Sequence, residues 1–169
     1  ARHVVLWAMA GKGTVFIQDA NSLVLETDVL VKALLHLRER IPGVQRITSY
    51  ARSSTLSRKT LEELKAMREA GLDRIHIGLE SGSDAVLAFV RKGATAAQHI
   101  EAGHRVIEAG MTLSEYVMPG LGGKRWWREH ALETARVLNE VDPHFIRLRS
   151  LRIPPHVPLR ADVEAGRFV

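Results

Sequence analysis

A helix that ends at a glycine and passes directly into an apolar strand occurs twice in this sequence, and this repeat restricts the fold more than any other feature. Glu69-Ala70-Gly71 precedes a run that ends in Gly78-Leu79, and Glu108-Ala109-Gly110 precedes a run that ends in Gly120-Leu121. A spacing of about 30 to 40 residues is typical of αβ units. Because helix and strand alternate, we expect parallel strands joined by right-handed crossovers.

The pattern of apolar and helix-breaking residues predicts the individual elements. The expected strands are Thr14–Gln18, Gln45–Tyr50, the start of the stretch Asp73–Asp84, Leu113–Met118 and Phe145–Leu151. The expected helices are Arg2–Ala10, Thr27–Arg40, Thr60–Ala70, Ser83–Val90, Thr95–Ala109 and Glu129–Asn139, with a polar turn over Ala51–Ser54. Five parallel strands suit part of a (β/α) barrel or a doubly wound sheet, and periodicity alone does not choose between them.

In either fold, the carboxyl ends of the strands share one rim, where ligands bind. The residues predicted there are Asp19, Asn21, Ser22, Ser49, Arg52, Glu80, Ser81, Gly120, Gly122, Gly123, Arg147 and Arg149. Glycines permit close backbone approach, and carboxylates and guanidiniums bind an amine and a carboxylate respectively. The rim therefore suits a zwitterionic or nucleotide-like ligand, although Glu80 can equally cap the following helix or pair with an arginine.

Composition indicates one globular domain across residues 1–169. Of the 169 residues, 46% are hydrophobic and 25% are charged, and no apolar run approaches the roughly 20 residues that a membrane span needs. We find no secretory signal pattern and expect a cytoplasmic protein with no membrane partner. There is no cysteine, so the chain supplies no thiolate metal ligand, disulfide or cysteine nucleophile.

The net charge of +5 and the pI of about 10.0 favour an anionic partner such as nucleic acid. The basic residues are spread over several helices, which is more typical of solvated helix faces than of a nucleic-acid groove.

Four sequence runs, in this order, resemble the core of radical S-adenosylmethionine enzymes. They are EAGLDRIHIGLESGSDAVL, VRKGATAAQHIEAGHRVIEAGM, VMPGLGG and DPHFIRLRSLRIPPHVPL. The similarity extends from about Thr14 to Val169. It is a resemblance to the oxygen-independent coproporphyrinogen oxidase-like, Elongator-like and methylthiotransferase-like proteins. It implies a partial (β/α)6 barrel that holds S-adenosylmethionine beside a 4Fe-4S cluster, cleaves it reductively and uses the 5'-deoxyadenosyl radical to abstract hydrogen from a substrate.

The resemblance also implies which positions contact the cofactor. Asp19, Ala20 and Asn21 occupy the place of a Gly-Gly-Glu corner that holds the methionyl amine, and Ser49 and Arg52 lie near the methionyl and ribose groups. Glu80 and Ser81 match a polar strand end that contacts the cofactor, and Lys92 matches a basic residue that meets its carboxylate. Gly120 and Gly122 match the glycine-rich loop near the adenosine, and the run from Arg149 to Leu151 lies beside the adenine.

The sequence departs from the family pattern at its cluster motif. The family holds its cluster with CxxxCxxC after the first strand, and this chain contains no cysteine. We therefore expect a truncated core in which strands 2 to 6 of the barrel are present, the first strand is missing, and the chain alone is inactive. An incomplete barrel leaves an open edge, so we also expect a homo-oligomer or a terminal segment to cover it.

Two other functions stay open at this point. The first is a non-catalytic adaptor or RNA-binding module on a degenerate barrel, with Trp126 and Trp127 as a stacking platform. The second is an ordinary barrel enzyme that uses Glu80 as a general base.

Overall fold

The computed structural model describes residues 13–41 and 43–168. The predicted helix Arg2–Ala10 and the helix-ending Pro42 lie outside these residues. The strands are β1 (Thr14–Ile17), β2 (Arg46–Ala51), β3 (Leu72–Glu80), β4 (Thr112–Val117) and β5 (Phe145–Leu148). The helices are α1 (Thr27–Arg40), α2 (Ser53–Leu56), α3 (Leu61–Glu69), α4 (Asp84–Phe89), α5 (Ala96–Glu108), α6 (Gly123–Val141) and α7 (Leu159–Glu164), with a 3₁₀ turn at Ser22–Val24.

The five strands form one open parallel sheet in the order β1-β2-β3-β4-β5. Each strand lies beside the strand that follows it in the chain. In a doubly wound sheet, by contrast, the spatial order of the parallel strands reverses part-way along the chain. The sequential order is that of a (β/α) barrel, so the prediction of a partial barrel with parallel strands is confirmed.

The two faces of the sheet differ in chemistry. One face packs against the helices and carries aliphatic side chains such as Ile47, Ile75, Ile77 and Leu113, each of them fully buried. The opposite, concave face carries the alternate residues of the same strands, and these are largely polar, basic or aromatic. Any ligand-binding group on a strand therefore has to come from the alternate positions that face the concave side.

Two helix starts follow the predicted pattern. Thr60 accepts a hydrogen bond from the Glu63 amide while Glu63 accepts one from Thr60, and Thr95 and Gln98 form the same reciprocal pair before α5. These capping boxes satisfy backbone donors that would otherwise lack partners at the helix start. They set the direction in which each helix returns across the sheet.

Several predicted boundaries were wrong. The fifth strand ends at Leu148 instead of Leu151, because β4 ends at Val117 and offers only one further bond, from the Arg149 amide to the Val117 carbonyl at 2.8 Å. The sixth helix begins at Gly123 instead of Glu129, with a kink at Trp126. The polar turn after β2 contains the short helix α2, and α7 was not predicted.

The last strand is poorly covered. All four residues of β5 are exposed, including Ile146 at 52% and Leu148 at 69%. The expectation that a second copy or a terminal segment covers the edge left by the missing first strand stays a prediction. None of the helices in the described residues is long and apolar enough to cross a bilayer.

Candidate functional site

A cleft of about 670 Å³ opens at the carboxyl ends of the strands. Its walls come from the ends of β2, β3 and β4 and from the loop that follows α4. The residues that line it include Ala20, Tyr50, Arg52, His76, Gly78, Glu80, Arg91, Lys92, Tyr116, Met118 and Arg149. Its volume lies within the range of small-molecule sites, roughly 300 to 1,000 Å³.

Glu80 is the acidic side chain of this cleft. Its Oε1 lies 3.4 Å from the Lys92 ammonium, and its Oε2 is buried with no partner among the described residues. A buried carboxylate oxygen without a partner is costly, so the site has spare capacity to accept a hydrogen bond from a cation.

The backbone at Glu80 is held in an uncommon conformation. Its φ is +62°, in the left-handed region that residues other than glycine seldom adopt. The β3–β4 register also shifts between Gly78 and Glu80. The Met118 amide donates to the Glu80 carbonyl at 3.1 Å and helps to fix this bulge. Strained backbone of this kind persists where the surroundings impose it, and it clusters at binding sites.

Gly78 leaves the space that the charged pair occupies. A Cβ at this position would lie 2.5 Å from Glu80 Oε1 and 2.9 Å from the Lys92 ammonium. Any larger residue would therefore displace both groups from the cleft.

The wall opposite Glu80 is aromatic and basic. The Tyr50 and Tyr116 rings lie 6.1 Å apart, and the Arg149 guanidinium lies 4.8 Å from the Tyr116 ring. Burial raises the pKa of Tyr116, but hydrogen bonding to Tyr50 and Arg149 and the charges of Arg147 and Arg149 outweigh it, so the net pKa is lowered. This wall favours an anionic or electron-rich group.

The structure brings some of the predicted site residues together at the cleft and leaves others elsewhere. Ala20, Arg52, Glu80, Lys92 and Arg149 line the cleft. Asp19, Asn21, Ser49, Ser81, Gly120, Gly122 and Leu151 do not.

Packing explains where two of the absent residues lie. Ser49 is fully buried on the helix side of the sheet, in register with Ile75, because side chains alternate along a strand. Asn21 accepts from the Arg52 amide at 3.0 Å and donates to Thr55 Oγ1 at 2.8 Å, so its amide joins the corner after β1 to α2.

The residue that follows β3 and the glycine loop after β4 both contact α6. Ser81 is fully buried and lies 2.8 Å from His130 Nδ1. Gly122 caps α6, where a Cβ would lie 2.8 Å from His130 Cβ. These residues position the rim without facing the cleft, while Leu151 lies beyond the end of β5 and Asp19 is exposed beside β1.

Sequence reasoning missed Tyr50, His76 and Tyr116, which line the cleft from the concave face. The signal was present as polar and aromatic residues at alternate positions of otherwise apolar strands. His76 is only 4% exposed. Burial and then the charges of Arg147, Arg74 and Arg46 lower its pKa to about 4, so it is neutral at pH 7.

Of the two tryptophans predicted to form a stacking platform, only Trp127 is exposed. Trp126 packs against the Phe89 ring at 5.1 Å and under the Arg125 guanidinium at 4.3 Å, whereas Trp127 is 66% exposed. Binding of RNA stays a prediction, as does the use of Glu80 as a general base.

A second carboxyl group lies behind the cleft, on the helix side of the sheet. Glu115 is 1% exposed, and neither of its oxygens has a hydrogen-bond partner among the described residues. Burial raises its pKa well above 4.5, although the charge of Lys92 acts in the opposite direction. Glu115 is therefore a neutral acid over a range in which an exposed glutamate is ionised.

Glu115→Gln is expected to stabilise the fold at neutral pH and to have little effect at pH 4. Above pH 4.5 the unfolded chain ionises at Glu115 and the folded chain does not. Wild-type stability therefore falls relative to the variant by about 1.4 kcal/mol per pH unit until the raised pKa is reached. Urea unfolding at several pH values measures this difference. A Glu115→Gln effect that is equal at pH 4 and pH 7 would contradict it.

The residues of the cleft fit S-adenosylmethionine. An unpaired carboxylate oxygen suits the methionyl ammonium, Lys92 and Arg52 suit its carboxylate, and Gly78 leaves room for the Glu80 and Lys92 side chains. The chain does not fit a 4Fe-4S cluster, because it contains no cysteine, and no group of three or more His, Asp or Glu side chains in the described residues is arranged to hold a metal ion.

Residues 2–135 match the sequence model of the radical SAM superfamily. A comparison with curated protein sequences gave no significant match.

Solved structures show the same fold. The Elp3 protein of the archaeon Methanocaldococcus infernus superposes with a TM-score of 0.71 at 16% identity, over 92% of this chain and 40% of that one. Coproporphyrinogen III oxidase from Escherichia coli gives 0.69 at 15% identity, over 88% of this chain and 33% of that one. The methyltransferase TsrM from Kitasatospora setae, with cobalamin and a 4Fe-4S cluster bound, gives 0.67 at 14% identity, over 98% and 33%. This chain therefore spans well under half the length of these proteins.

Proposed function

This chain belongs to the radical SAM superfamily, and from that premise we propose that its cleft binds S-adenosylmethionine as the cofactor-binding part of a radical enzyme. The observation that carries the proposal is Glu80. Its carboxylate lies in a cleft at the strand ends, on strained backbone, with one oxygen unpaired and the other beside Lys92.

Glu80 and Lys92 divide the methionyl group between them. The Glu80 carboxylate would accept hydrogen bonds from the ammonium, and the Lys92 ammonium would pair with the carboxylate of the ligand instead of with Glu80. Their separation of 3.4 Å is long for an ion pair and leaves both groups able to exchange partners. Binding thus replaces one internal pair with two pairs to the ligand.

The remaining residues orient the ligand and exclude water. Gly78 leaves room for the Glu80 and Lys92 side chains that would hold the methionyl group, and the Tyr50 and Tyr116 rings line the same cleft. Bound S-adenosylmethionine supplies a carbon radical after one-electron reduction in enzymes of this superfamily. The chain contains no cysteine to hold the cluster that delivers this electron in the family, so we propose that it binds the cofactor without cleaving it.

Equilibrium dialysis with S-adenosylmethionine tests this proposal on the 169-residue chain. We expect saturable binding of one equivalent, and no formation of methionine or 5'-deoxyadenosine when dithionite is added. The absence of saturable binding would overturn the proposed site. Cleavage by this chain alone would overturn the claim that the electron has to come from outside it.

A further inference from the structure

Three arginines lie on the concave face of the sheet, at positions that run from the strand starts up to the level of the cleft. We call Arg46, Arg74 and Arg147 the arginine tier. They stand on β2, β3 and β5, and on β2 and β3 their positions alternate with the buried aliphatic residues. A strand rises roughly 3.3 Å per residue, so Arg74 lies about 13 Å from Gly78 toward the start of β3. Arg46 and Arg74 are thus separate from the groups that would hold the methionyl end of the cofactor, whereas Arg147 is in register with Tyr116 at the cleft wall.

The arginine tier has no internal counter-charge. The ion pairs made by arginines in the described residues use Arg38, Arg68, Arg105, Arg136, Arg160 and Arg167. None of the three tier residues lies within 4.0 Å of a carboxylate in residues 13–41 and 43–168. Three guanidiniums gathered without an acid repel one another, and an anion would offset that repulsion.

Arg74 is held in place for such a contact. Its Nε donates to Thr112 Oγ1 at 3.0 Å, and its guanidinium lies 4.0 Å over the Phe145 ring. Burial lowers its pKa, and the neighbouring charges of Arg46 and Arg147 add to that effect. A guanidinium that uses only its Nε–H in an internal hydrogen bond still has its other N–H groups available for an oxyanion.

Aromatic rings connect the arginine tier to the cleft. Phe16 lies 4.8 Å from Tyr50 and 5.5 Å from His76, and His76 lies 6.0 Å from Tyr116. Tyr50, His76 and Tyr116 also line the cleft, so a ligand on this shelf would extend from the tier to the cofactor. Rings of this kind present a flat, largely apolar surface to a planar molecule.

We infer that the arginine tier binds the carboxylate or phosphate of a small-molecule substrate, whose planar or apolar body lies on the shelf of Phe16, Tyr50, His76 and Tyr116. This inference rests on the proposed function, because it places the reacting molecule beside the proposed cofactor. It names the chemical class of the substrate, an organic anion, and the residues that select it.

Isothermal titration calorimetry on the 169-residue chain tests the inference with three compounds. Benzene-1,3,5-tricarboxylate represents a planar carboxylate, inorganic pyrophosphate represents a phosphate, and benzene-1,3,5-trimethanol is the neutral control. We expect at least one anion to bind and the neutral compound not to bind. The anion that binds more tightly identifies the preferred group, and failure of both would overturn the inference.

Charge-removing variants locate the site. Arg147→Gln and Arg74→Gln are each expected to weaken anion binding by roughly tenfold, as for loss of a charge-assisted hydrogen bond. Arg40→Gln, an exposed arginine on α1, removes the same charge and should change affinity less than twofold. Arg147 is exposed, and its side chain makes no hydrogen bond within residues 13–41 and 43–168, so its variant answers the question even if Arg74→Gln unfolds. Equal losses in Arg147→Gln and Arg40→Gln would overturn the inference.

Two further measurements distinguish a failure of the anion site from a failure of the proposed S-adenosylmethionine site. Bound anion should raise the His76 pKa from about 4, which NMR titration of the imidazole measures. S-adenosylmethionine affinity should be unchanged in Arg74→Gln. If S-adenosylmethionine does not bind while the anion does so through the tier, the proposed function fails and the anion site stands. If a short polyuridylate binds more tightly than either anion through the same arginines, the small-molecule assignment is wrong.

Discussion

Asp73→Asn is expected to lower the free energy of unfolding by about 2 to 3 kcal/mol, between the cost of breaking an exposed and a buried ion pair. Asp73 lies at the start of β3, where its Oδ2 accepts from the Arg38 guanidinium at 3.0 Å and from the Ile47 amide at 2.8 Å. Its Oδ1 accepts from the Arg68 guanidinium at 2.8 Å. One carboxylate therefore joins α1, α3, β2 and β3.

The Asp73 network also depends on the glycine that ends α3. Arg38 donates to the Gly71 carbonyl at 2.9 Å, and a Cβ on Gly71 would lie 1.8 Å from Arg38 Nε. With a φ of +108°, Gly71 also adopts a backbone conformation that suits glycine. The asparagine variant keeps the shape of the side chain but leaves two guanidiniums without their counter-charge.

Urea unfolding followed by circular dichroism measures the Asp73→Asn effect, with Asp28→Asn as the matched control. Asp28 is exposed in the first turn of α1, and its variant is expected to change stability by less than about 0.5 kcal/mol. The midpoint of thermal unfolding should fall by about 5 to 10 °C in Asp73→Asn. Equal stability of the two variants would show that the network contributes nothing beyond a surface charge.

The fold followed from the sequence because its signals are local. Glycines such as Gly71 and Gly110 end helices, and Thr60 and Thr95 begin them with a side chain that binds the backbone. Those boundaries fix the alternation of helix and strand, and the alternation requires parallel strands. The choice of a barrel over a doubly wound sheet needed the spatial order of the strands, which depends on tertiary packing.

The site followed only in part, because it depends on which side of a strand each residue faces. Ser49 and Tyr50 are neighbours in sequence, yet Ser49 is buried under the helices and Tyr50 faces the cleft. The register shift at Gly78 and Glu80 is a property of two paired strands, so sequence periodicity does not contain it. Arg46 and Arg74 were missed for the same reason, because they are far apart in the chain and meet Arg147 only across the concave face.

Glu80→Gln is expected to weaken S-adenosylmethionine binding by about 10- to 100-fold. The amide keeps the size of the side chain, but it loses the charge that holds the methionyl ammonium, and a charged hydrogen bond contributes roughly 1.5 to 3 kcal/mol. The variant also leaves Lys92 without its internal partner, which strengthens the attraction of Lys92 for the ligand carboxylate and offsets part of the loss.

Glu108→Gln is the matched control for Glu80→Gln. Glu108 lies exposed at the end of α5, and its substitution removes the same charge at a distance from the cleft. Its S-adenosylmethionine affinity should stay within about twofold of wild type, as for a screened surface charge.

The dissociation constant of S-adenosylmethionine, measured by calorimetry on the wild type, Glu80→Gln and Glu108→Gln, tests the central claim most directly. The account predicts a selective loss in Glu80→Gln, with native circular dichroism retained in all three proteins. Equal affinities in the three proteins would contradict the placement of the cofactor amine at Glu80.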